Sequence, residues 1–521
     1  MLKREILPPP EHLYPADEWR IVEARWTPQY SGRAETVFAL ANGYVGVRGT
    51  LEEGRPSLEH GTFVSGLHET WPIVHAEEAF GLARVGQSMV SAPDATVLEL
   101  FVDDEPLFLP TARIQDYSRV LDMRTGVLER HLVWSTPAGK HVTVRSSRLV
   151  SLEHRHLIAM TFEVTSDSPA PIAIVSRVIN RADQPAATDE PEDPRAGRTM
   201  GHRVLQPAFA DEDAGERFVL GYEVANSRMT LAVGVQHLVE TDAPHRLETS
   251  VSTDRCETVL SADAQPGVPI RIVKYATYQT SRGVPPADLA ERCQRTLDRV
   301  VGEPHAAVVA HQREHLDRFW DGADVVVHDR RGPVRMQQAV RWNLYQLCQA
   351  SWRVEGAGIP AKGLTGAAYD GHYFWDTEAY VLPFLAYTQP RIARNLLRFR
   401  HSMLPKARAR ATMLGVRGAL FPWRTINGDE ASALYQAGTA QYHLNADIAY
   451  AIRRYVDVRG DTDFLADVGA EVLVETARMW EDLGFYGDDG RFHLHSVTGP
   501  DEYTTVVNDN AFTNLMARLN L

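Results

Sequence analysis

Ile158-Ala159-Met160-Thr161-Phe162-Glu163-Val164 places a large apolar side chain at every second position. Because successive side chains of a strand point to opposite faces of a sheet, this alternation predicts a β-strand with one buried face. The same spacing recurs in residues 172–178 and 229–235, so we expect residues 1–280 to form an antiparallel β-sandwich. Residues 186–198 are acidic, proline-bearing and poor in apolar side chains, and we expect them to form a mobile excursion.

Beyond Pro285 the apolar residues recur every three or four positions, which is the spacing of an amphipathic helix. We expect residues 281–330 to form a linker of one or two helices. Residues 331–521 should contribute five or six helices, including a short one after Asp376. Pro390 suits the first turn of one helix, and Gly484 suits the end of another. The clearest apolar faces are Met336, Val340, Leu344 and Leu347; Ile392, Leu396, Phe399 and Met403; Leu444, Ile448, Ile452 and Tyr455; and Leu465, Val468, Val472, Met479 and Leu483.

A final helix is expected to reach the last residue of the chain. Phe512, Leu515, Met516 and Leu519 form its apolar face, and it runs to Leu521 without a glycine cap or a polar end. An apolar face of this kind needs a partner to cover it. We therefore expect the helical region to be incomplete at this point.

The composition limits the kinds of partner. The chain has 521 residues, with 54 basic and 68 acidic side chains and a net charge of −14. An acidic protein is not attracted to nucleic acid or to anionic membranes, so neither is expected as a partner. The N-terminal residues lack the apolar core of a secretory signal, and no stretch is long and apolar enough to span a bilayer. Cys256, Cys293 and Cys348 form neither a disulfide framework nor a metal pattern. These features favour a cytoplasmic protein.

Near the end of the sequence, Gly499-Pro500-Asp501-Glu502-Tyr503-Thr504 sets two carboxylates side by side in a turn. The Gly-Pro step cannot continue a regular element, so the residues after it should form a stiff loop. A carboxylate presented from such a loop is suited to act as a general acid on a sugar. The alternative is that this acidic turn caps the helix that follows it.

Residues 363–378 form a second segment in which glycine, aromatic and acidic residues lie close together. Within it, Trp375 offers a ring for the CH face of a sugar, and Asp376 offers a carboxylate for the hydroxyl groups. The alternative is a packed aromatic loop in which Asp376 caps a short helix. The loop from Phe421 to Glu430 has a similar composition and is less specific.

Two histidine motifs raise the question of a metal. His311-Gln312-Arg313-Glu314-His315 fits the H-x-x-E-H pattern of a zinc peptidase. It lies in a charged helix without a strong third ligand, so a solvated helix face explains it better. His493 and His495 would share one face of a strand, where ordinary polar residues are the simpler interpretation. We therefore expect no bound metal.

Five stretches together resemble glycoside hydrolase family 65, the group that contains maltose, kojibiose and trehalose phosphorylases and related hydrolases. They span nearly the whole chain in the order of the family. The resemblance implies an N-terminal β-supersandwich, a helical linker and a catalytic (α/α)6 barrel, of which residues 331–521 would form the first part, incomplete at the C-terminus. The matching stretches are Asn42 to Gly49, Gly363 to Glu378, Phe421 to Thr425, Gly438 to Tyr450 and Gly499 to Asn514.

The resemblance also implies roles for three residues. Glu502 matches the proton donor of the family, and Trp375 and Asp376 match the pair that holds the glucose whose bond is broken. In the phosphorylases of the family, inorganic phosphate is a co-substrate that attacks the anomeric carbon with inversion, and no other cofactor is implied. The partners would be a disaccharide and phosphate, with a homodimer as the common assembly. Because Glu502 must hold a proton near neutrality, we expect it to be partly buried near Asp376 or Asp501.

Three functions remain open from the sequence. We expect phosphorolysis of a trehalose-, maltose- or kojibiose-like α-glucosyl disaccharide to glucose 1-phosphate and a sugar. An α-glucoside hydrolase would need a second carboxylate to activate water, and the phosphate-binding residues of the family correspond to positions beyond residue 521. The third is an inactive, truncated carbohydrate-binding fragment. Thr504 and Ala367 stand where several disaccharide phosphorylases of the family have histidine and glutamate, so the acceptor sugar is also open.

Overall fold

The computed structural model describes residues 9–76, 80–181, 202–213, 215–328 and 333–521. Antiparallel strands dominate up to Ser281, and helices dominate from Pro286 onward. This order confirms the predicted β-sandwich followed by a helical region. The boundaries 1–280, 281–330 and 331–521 stay a prediction as domain limits. The segment 186–198, expected to be a mobile excursion, lies outside the described residues.

The strands of the first part are numbered in chain order. They are β1 (Arg20–Glu23), β2 (Leu40–Ala41), β3 (Val45–Val47), β4 (Thr62–Pro72), β5 (Val85–Ser91), β6 (Asp94–Val102), β7 (Glu105–Pro106), β8 (Arg113–Asp122), β9 (Val127–Ser135), β10 (His141–Val150), β11 (Leu157–Ser166), β12 (Ala170–Ile179), β13 (Leu205–Asp213), β14 (Arg217–Val224), β15 (Thr230–Glu240), β16 (His245–Val251), β17 (Arg255–Ala264) and β18 (Ile270–Ser281).

The helices are numbered in the same way, and a short hairpin of β19 (Phe485–Tyr486) and β20 (Phe492–His493) lies before the last of them. They are α1 (Ser31–Val37), α2 (Pro286–Val301), α3 (His305–Ala323), α4 (Pro333–Ser351), α5 (Leu382–Thr388), α6 (Pro390–Ser402), α7 (Leu404–Met413), α8 (Tyr435–Gly438), α9 (His443–Arg459), α10 (Thr462–Phe464), α11 (Ala470–Leu483) and α12 (Ala511–Asn520).

Two antiparallel sheets form the sandwich. The larger has the strand order β1-β8-β9-β10-β11-β18-β15-β14-β13, and the smaller has the order β16-β17-β12-β6-β7. Ile158 and Phe162 of β11 share one hydrophobic cluster with Leu100 and Ile174 of the smaller sheet. The alternation read from residues 158–164 therefore marks the face on which the two sheets meet. Strands β2 to β5 form a separate small sheet that reaches toward the helical region.

Helices α2 and α3 cover the outer face of the larger sheet. Helix α2 packs against β14, β15 and β18. Leu297 and Val300 of α2 and Val308 of α3 form a cluster with Leu157 and Ala159 of β11. The intervening positions of this strand are thus buried as well, because a helix rather than water lies over them. The predicted linker helices serve as a third layer of the sandwich.

Helix α9 is central to the second half of the chain. It packs against α5, α6, α11 and α12, and its predicted face of Leu444, Ile448, Ile452 and Tyr455 is buried. A helix surrounded in this way is fixed along its length by packing rather than by helix propensity alone. The residues at its start, where the candidate site lies, are therefore held on a rigid element.

The apolar face predicted for α4 is not the face that packs. Met336 is exposed, whereas Gln337, Arg341 and Tyr345 are buried. Arg341 pairs with Asp324 at 2.9 Å, and Tyr345 belongs to the main hydrophobic cluster, so polar contacts and apolar packing together fix this face. Helix α7 has no counterpart among the predicted helices, since beyond Leu404 its buried face carries only alanine and arginine, without the repeated large apolar residues that mark an amphipathic helix.

The predicted face of the final helix is covered on one side only. In α12, Met516 and Ala517 are buried, whereas Leu515 and Leu519 are exposed. Among the described helices, none combines the length and the apolar character that crossing a membrane requires. Cys256, Cys293 and Cys348 are all buried free thiols.

Several buried histidines should make the fold sensitive to mild acid. Burial lowers the pKa of His237, with help from Lys274, and the pKa of His372, with help from Arg424, each to about 3. Burial likewise lowers the pKa of His68 to about 4. In the unfolded chain these imidazoles bind protons near about pH 6.5, so the unfolded state takes up more protons at lower pH. We expect the free energy of unfolding to fall as the pH falls from about 6.5 to about 3.

Urea denaturation at about pH 7 and about pH 5 would measure this loss. His237→Gln keeps a hydrogen-bonding side chain but removes one titrating group, so its stability should change less between the two pH values. Equal stability of the unmodified chain at both pH values would contradict the expectation.

Candidate active site

Glu502 lies in a loop that is closed at its base. Val497 and Val507 exchange backbone hydrogen bonds of 2.9 and 2.8 Å across the loop. Within it, Asp501 accepts hydrogen bonds from the backbone N–H of Tyr503 at 3.2 Å and from the hydroxyl of Thr504 at 3.3 Å. Asp501 therefore shapes the turn.

The alternative reading of this turn as a helix cap is wrong. Helix α12 is capped by Asn510, whose side chain accepts a hydrogen bond from the backbone N–H of Thr513 at 3.1 Å. Neither carboxylate of the turn is needed for that purpose.

Glu502 is held by one buried neighbour. Its Oε1 accepts a hydrogen bond from Nε2 of Gln441 at 3.3 Å. The side chain of Glu502 is exposed, so the prediction that it is partly buried is wrong. Its hydrogen-bond partner Gln441 is buried, with only 2% of its surface exposed. The backbone of this segment also supports the loop, because the N–H of Thr498 donates to the carbonyl of Ala440 at 2.8 Å.

Trp375 lies against His443, a buried histidine two residues after Gln441. Its ring meets the ring of His443 edge to face at 4.9 Å between centroids, and it lies 6.0 Å from the ring of Tyr380. His443 is fully buried, and its Nδ1 lies 2.7 Å from a carboxylate oxygen of Asp447. The carboxylate fixes the orientation of the imidazole, and the imidazole in turn supports the indole.

Asp376 points into a different space from Trp375. It is exposed and lines a cavity of about 340 Å³ between α4 and residues 359–365, together with Gln346, Gln349 and Lys362. Trp375 and Glu502 do not line this cavity. The side chain of Asp376 makes no capping hydrogen bond to the helical turn after it, so the alternative reading as a cap is wrong here too.

A buried ion pair clamps the backbone around Trp375 and Asp376. Arg400 of α6 donates to both oxygens of Glu378, at 2.7 and 3.0 Å, and to the carbonyl of Phe374 at 3.3 Å. The two charged side chains are 3% and 2% exposed. Because these contacts lie on both sides of Trp375 and Asp376, they hold the pair between two fixed points.

The turn before this pair is strained and polar. Tyr369 and Asp370 have positive φ angles of 56° and 53°, a region that non-glycine residues seldom adopt. Asp370 pairs with Arg424 at 2.6 Å and accepts a hydrogen bond from the hydroxyl of Ser88 in β5 at 3.0 Å. Surrounding contacts therefore maintain the conformation, as is common near functional sites.

The loop from Phe421 to Glu430 packs behind the same turn. The ring of Trp423 meets the ring of Phe374 edge to face at 5.2 Å. The carboxylate of Glu430 is buried and accepts hydrogen bonds from the backbone N–H groups of Trp423 and Ser432 at 2.7 and 2.9 Å. Burial raises the pKa of Glu430. These bonds give Glu430 a role in shaping the loop.

The stretch Asn42 to Gly49 of the sandwich touches the loop before Trp375. Residues 38–54 are all buried. A Cβ on Gly46 would lie 2.1 Å from the carbonyl oxygen of Leu364, so the two backbones are in direct contact. Arg48 donates to the carbonyl of Thr365 at 2.9 Å. The stretch around β3 therefore positions the loop that leads into the candidate site.

A buried charge network fixes the residues that follow this stretch. Arg130 of β9 donates to both oxygens of Glu53 at 2.7 and 2.8 Å and lies 3.1 Å from Glu52. Arg148 of β10 lies 3.3 Å from Glu52. Burial opposes the ionisation of Glu52, but the two guanidinium groups outweigh it and lower its pKa to about 2. The carboxylate of Glu52 thus remains charged, and the ion pairs of Glu52 and Glu53 fix the segment to the larger sheet.

The histidine motifs have structural partners. Nδ1 of His493 lies 2.9 Å from Asp509, and the ligand atoms of His493, His495 and Asp509 lie within 4.8 Å of one another. Asp509 also accepts a hydrogen bond from the backbone N–H of Leu494 at 3.1 Å, so it ties the base of the Glu502 loop. His315 is buried and bonds to Glu153 at 2.5 Å, so the solvated helix face expected for this motif is wrong at His315.

Comparison with known protein families identifies both halves of the chain. The description "Glycosyl hydrolase family 65, N-terminal domain" matches residues 21–319, and "Glycosyl hydrolase family 65 central catalytic domain" matches residues 341–521. The chain belongs to glycosyl hydrolase family 65. The resemblance inferred from the five sequence stretches is thereby confirmed.

Several family 65 relatives match almost the whole chain. An α,α-trehalose phosphorylase of Thermoanaerobacter brockii is 37% identical over 98% of this chain and 66% of its own length. An uncharacterized glycosyl hydrolase of Mycobacterium tuberculosis is 40% identical over 98% of this chain and 64% of its own length. A solved structure described as a candidate kojibiose phosphorylase from the human microbiome superposes with a TM-score of 0.88 at 25% identity, over 98% of this chain and 65% of that one. The chain spans just under two thirds of the length of these relatives.

Two of the three predicted site residues contact the same short segment of the chain. Trp375 and Glu502 both contact the segment 441–443, whereas Asp376 faces the separate cavity. Gln441, His443 and Asp447 were not singled out from the sequence, although the stretch from Gly438 to Tyr450 was. The four-residue spacing of His443 and Asp447 at a helix start was an available signal, whereas nothing in the sequence marked Gln441.

The Arg400 clamp predicts a large effect on stability. Arg400→Ala would leave Glu378 as an unpaired buried carboxylate, so we expect the free energy of unfolding to fall by about 3–5 kcal/mol. Urea denaturation would measure the change. Arg398→Ala, on the exposed face of the same helix, should cost less than about 0.5 kcal/mol. Combining Arg400→Met with Glu378→Gln should recover part of the loss, and equal effects of the two alanine variants would contradict the clamp.

The contact at Gly46 predicts that even one methyl group disturbs the loop. Gly46→Ala should displace residues 363–366 and lower stability by about 1–3 kcal/mol, because the obstructing atom belongs to the backbone. Limited proteolysis of the loop, together with thermal unfolding, would report both effects. Gly283→Ala is the matched control, since nothing lies within 4 Å of its new methyl group. A Gly46→Ala protein as stable and as resistant as the control would refute the close contact.

Proposed function

We propose that this protein catalyses the inverting phosphorolysis of an α-glucosyl disaccharide. An oxygen of inorganic phosphate attacks the anomeric carbon of glucose, and the glycosidic C–O bond breaks. Glu502 donates its proton to the departing sugar oxygen, and Trp375 holds the glucose. The role of Asp376 in holding the glucose stays a prediction from the family resemblance, since its side chain faces a separate cavity. The products are β-glucose 1-phosphate and a free sugar, and Glu502 regains a proton from solvent.

The observation that carries the proposal is the shared contact of Gln441 with Glu502 and of His443 with Trp375. A general acid and an aromatic sugar platform must be held in a fixed relation, since misplacement of reacting groups is costly. Here one buried segment contacts both. Asp501 and Glu430 are engaged in shaping their own loops, which leaves Glu502 as the carboxylate with a free catalytic role.

A single acid suits phosphorolysis better than hydrolysis. Phosphate already carries negative charge, so no base is needed to activate it. An inverting hydrolase needs a second carboxylate about 6.5–9.5 Å from the first to activate water. Phosphate enters the reaction as a co-substrate, and the proposed steps need no metal or organic cofactor.

Trehalose is the substrate we favour among the three disaccharides. The relative named α,α-trehalose phosphorylase is 37% identical to this chain, whereas the structure described as a candidate kojibiose phosphorylase is 25% identical. The acceptor sugar lies next to positions such as Ala367 and Thr504, which differ from other members of the family. A cytoplasmic location stays a prediction, which the three buried free thiols support. A homodimeric assembly also stays a prediction.

Replacing the proton donor should abolish turnover but not binding. In protein expressed from the complete gene, Glu502→Gln should lower kcat for trehalose about 10²- to 10⁴-fold, the usual contribution of a general acid, and leave KM almost unchanged. Release of glucose 1-phosphate in the presence of phosphate is the measurement. Glu481→Gln, an exposed glutamate of α11, is the matched control and should retain full activity.

The same assay separates the alternatives. Glucose released at equal rates with and without phosphate would make the protein an α-glucoside hydrolase. Sugar binding without turnover by the unmodified protein would make it a carbohydrate-binding protein. Full activity of Glu502→Gln would remove this residue from the mechanism.

A further inference from the structure

We propose that residues 441–443, which lead into α9, together with the first turn of α9, form a common support that sets the general acid and the glucose platform relative to one another. Gln441 positions Glu502, and His443, oriented by Asp447, positions Trp375. This inference rests on the proposed function and adds two positioning residues to it. Gln441 lies in the turn before α9 and His443 is the first residue of the helix. Both side chains are buried and only two positions apart, so the relation between the two halves of the site is fixed locally.

The side chain of Gln441 suits both protonation states of Glu502. Its Nε2 donates to the carboxylate at 3.3 Å. Its Oε1 is buried and has no hydrogen-bond partner among the described residues. A buried unpaired acceptor is costly, and a protonated Glu502 could satisfy it by donating its O–H. Because an amide both donates and accepts, the same side chain can hold Glu502 before and after proton transfer.

The contact with His443 fixes the indole of Trp375 relative to α9. It is fully buried between Trp375 at 4.9 Å and Phe512 at 5.5 Å, measured between ring centroids. Its Nδ1 lies 2.7 Å from Asp447, one helical turn further along α9. Edge-to-face contacts of aromatic rings have a preferred geometry, so a fixed imidazole restricts the tilt of the indole against which glucose would stack.

The backbone reinforces this arrangement. The carbonyl of Ala440 accepts from Thr498 at 2.8 Å, which joins the segment to the Glu502 loop a second time. Beyond Asp447, the apolar face of α9 is buried against four other helices. Sites that are built on rigid elements hold their geometry better than sites on free loops. His443 is therefore held by the packing of α9, and Gln441 is held by its burial and by the backbone bond of the adjacent Ala440.

The test compares two glucosyl donors in protein expressed from the complete gene. Cleavage of trehalose requires a proton on the leaving oxygen. α-Glucosyl fluoride does not, because fluoride leaves with its electron pair as a stable anion. Substitution of a residue that positions the acid should lower the rate only with the disaccharide. Substitution of a residue that positions the glucose platform should change the kinetics with both donors.

Gln441→Met removes the amide and keeps the length of the side chain. We expect kcat for trehalose to fall about 10- to 100-fold, with KM and the rate on α-glucosyl fluoride within about twofold of the unmodified protein. Retained fluoride activity also proves that the variant is folded. An equal fall on both donors, or no fall on either, would overturn the role of Gln441.

His443→Ala should raise KM for both donors by about 10-fold, because it releases the indole. Asp447→Asn keeps the volume and loses the charge that orients the imidazole, so it should raise both KM values in the same direction by a smaller factor. It serves as the second variant if His443→Ala does not fold. Loss of trehalose activity with normal fluoride activity in Asp447→Asn would overturn the role of His443.

Two controls complete the comparison. Tyr442→Phe changes the residue between the two supports and leaves both contacts in place, so it should match the unmodified protein with both donors. Glu502→Gln should itself lose trehalose activity and keep fluoride activity. If it does not, the proposed function fails. If it does and Gln441→Met does not, only the present inference fails.

Discussion

The structure depends on the close approach of two backbones at Gly46. Strand β3 lies against the carbonyl of Leu364 with no room for a side chain, and the loop that leads to Trp375 takes its position from this contact. The strand is itself immobilised, because Glu52 and Glu53 a few residues later are buried among arginines of the larger sheet. A charge network in the sandwich thus helps to fix where a loop of the candidate site begins in the helical region. The N-terminal region therefore positions the candidate site.

The fold followed from the sequence where large apolar residues are grouped on one face. In β11 and α9, their spacing marks a face that meets the core, although the opposite positions are buried as well. The prediction failed where polar side chains do the packing. Helix α4 buries Gln337 and Arg341 through specific partners, and α7 buries alanine and arginine. Hydropathy cannot reveal such faces, because their partners lie far away in the sequence and only the folded chain brings them together.

The candidate site was predictable only in its outward-facing members. Trp375, Asp376 and Glu502 stood out because aromatic and acidic residues in glycine-rich loops are chemically conspicuous. Their supports are not conspicuous. A buried glutamine such as Gln441 is ordinary in sequence, and the clamp of Glu378 by Arg400 joins residues on different elements. The expected burial of Glu502 was wrong as well, because the exposure of a loop residue depends on every element around it.

The amide of Gln441 has a consequence for both directions of the reaction. By microscopic reversibility, a residue that gives a proton during cleavage must take one back when a glucosyl phosphate and an acceptor are joined. A lysine in place of Gln441 would favour the anionic form of Glu502, and an aspartate would favour the neutral form. In the proposed mechanism either charge would disfavour one protonation state of Glu502 and so slow the reaction in both directions, because a catalyst cannot change an equilibrium constant. An uncharged side chain that can turn over supports both protonation states of Glu502.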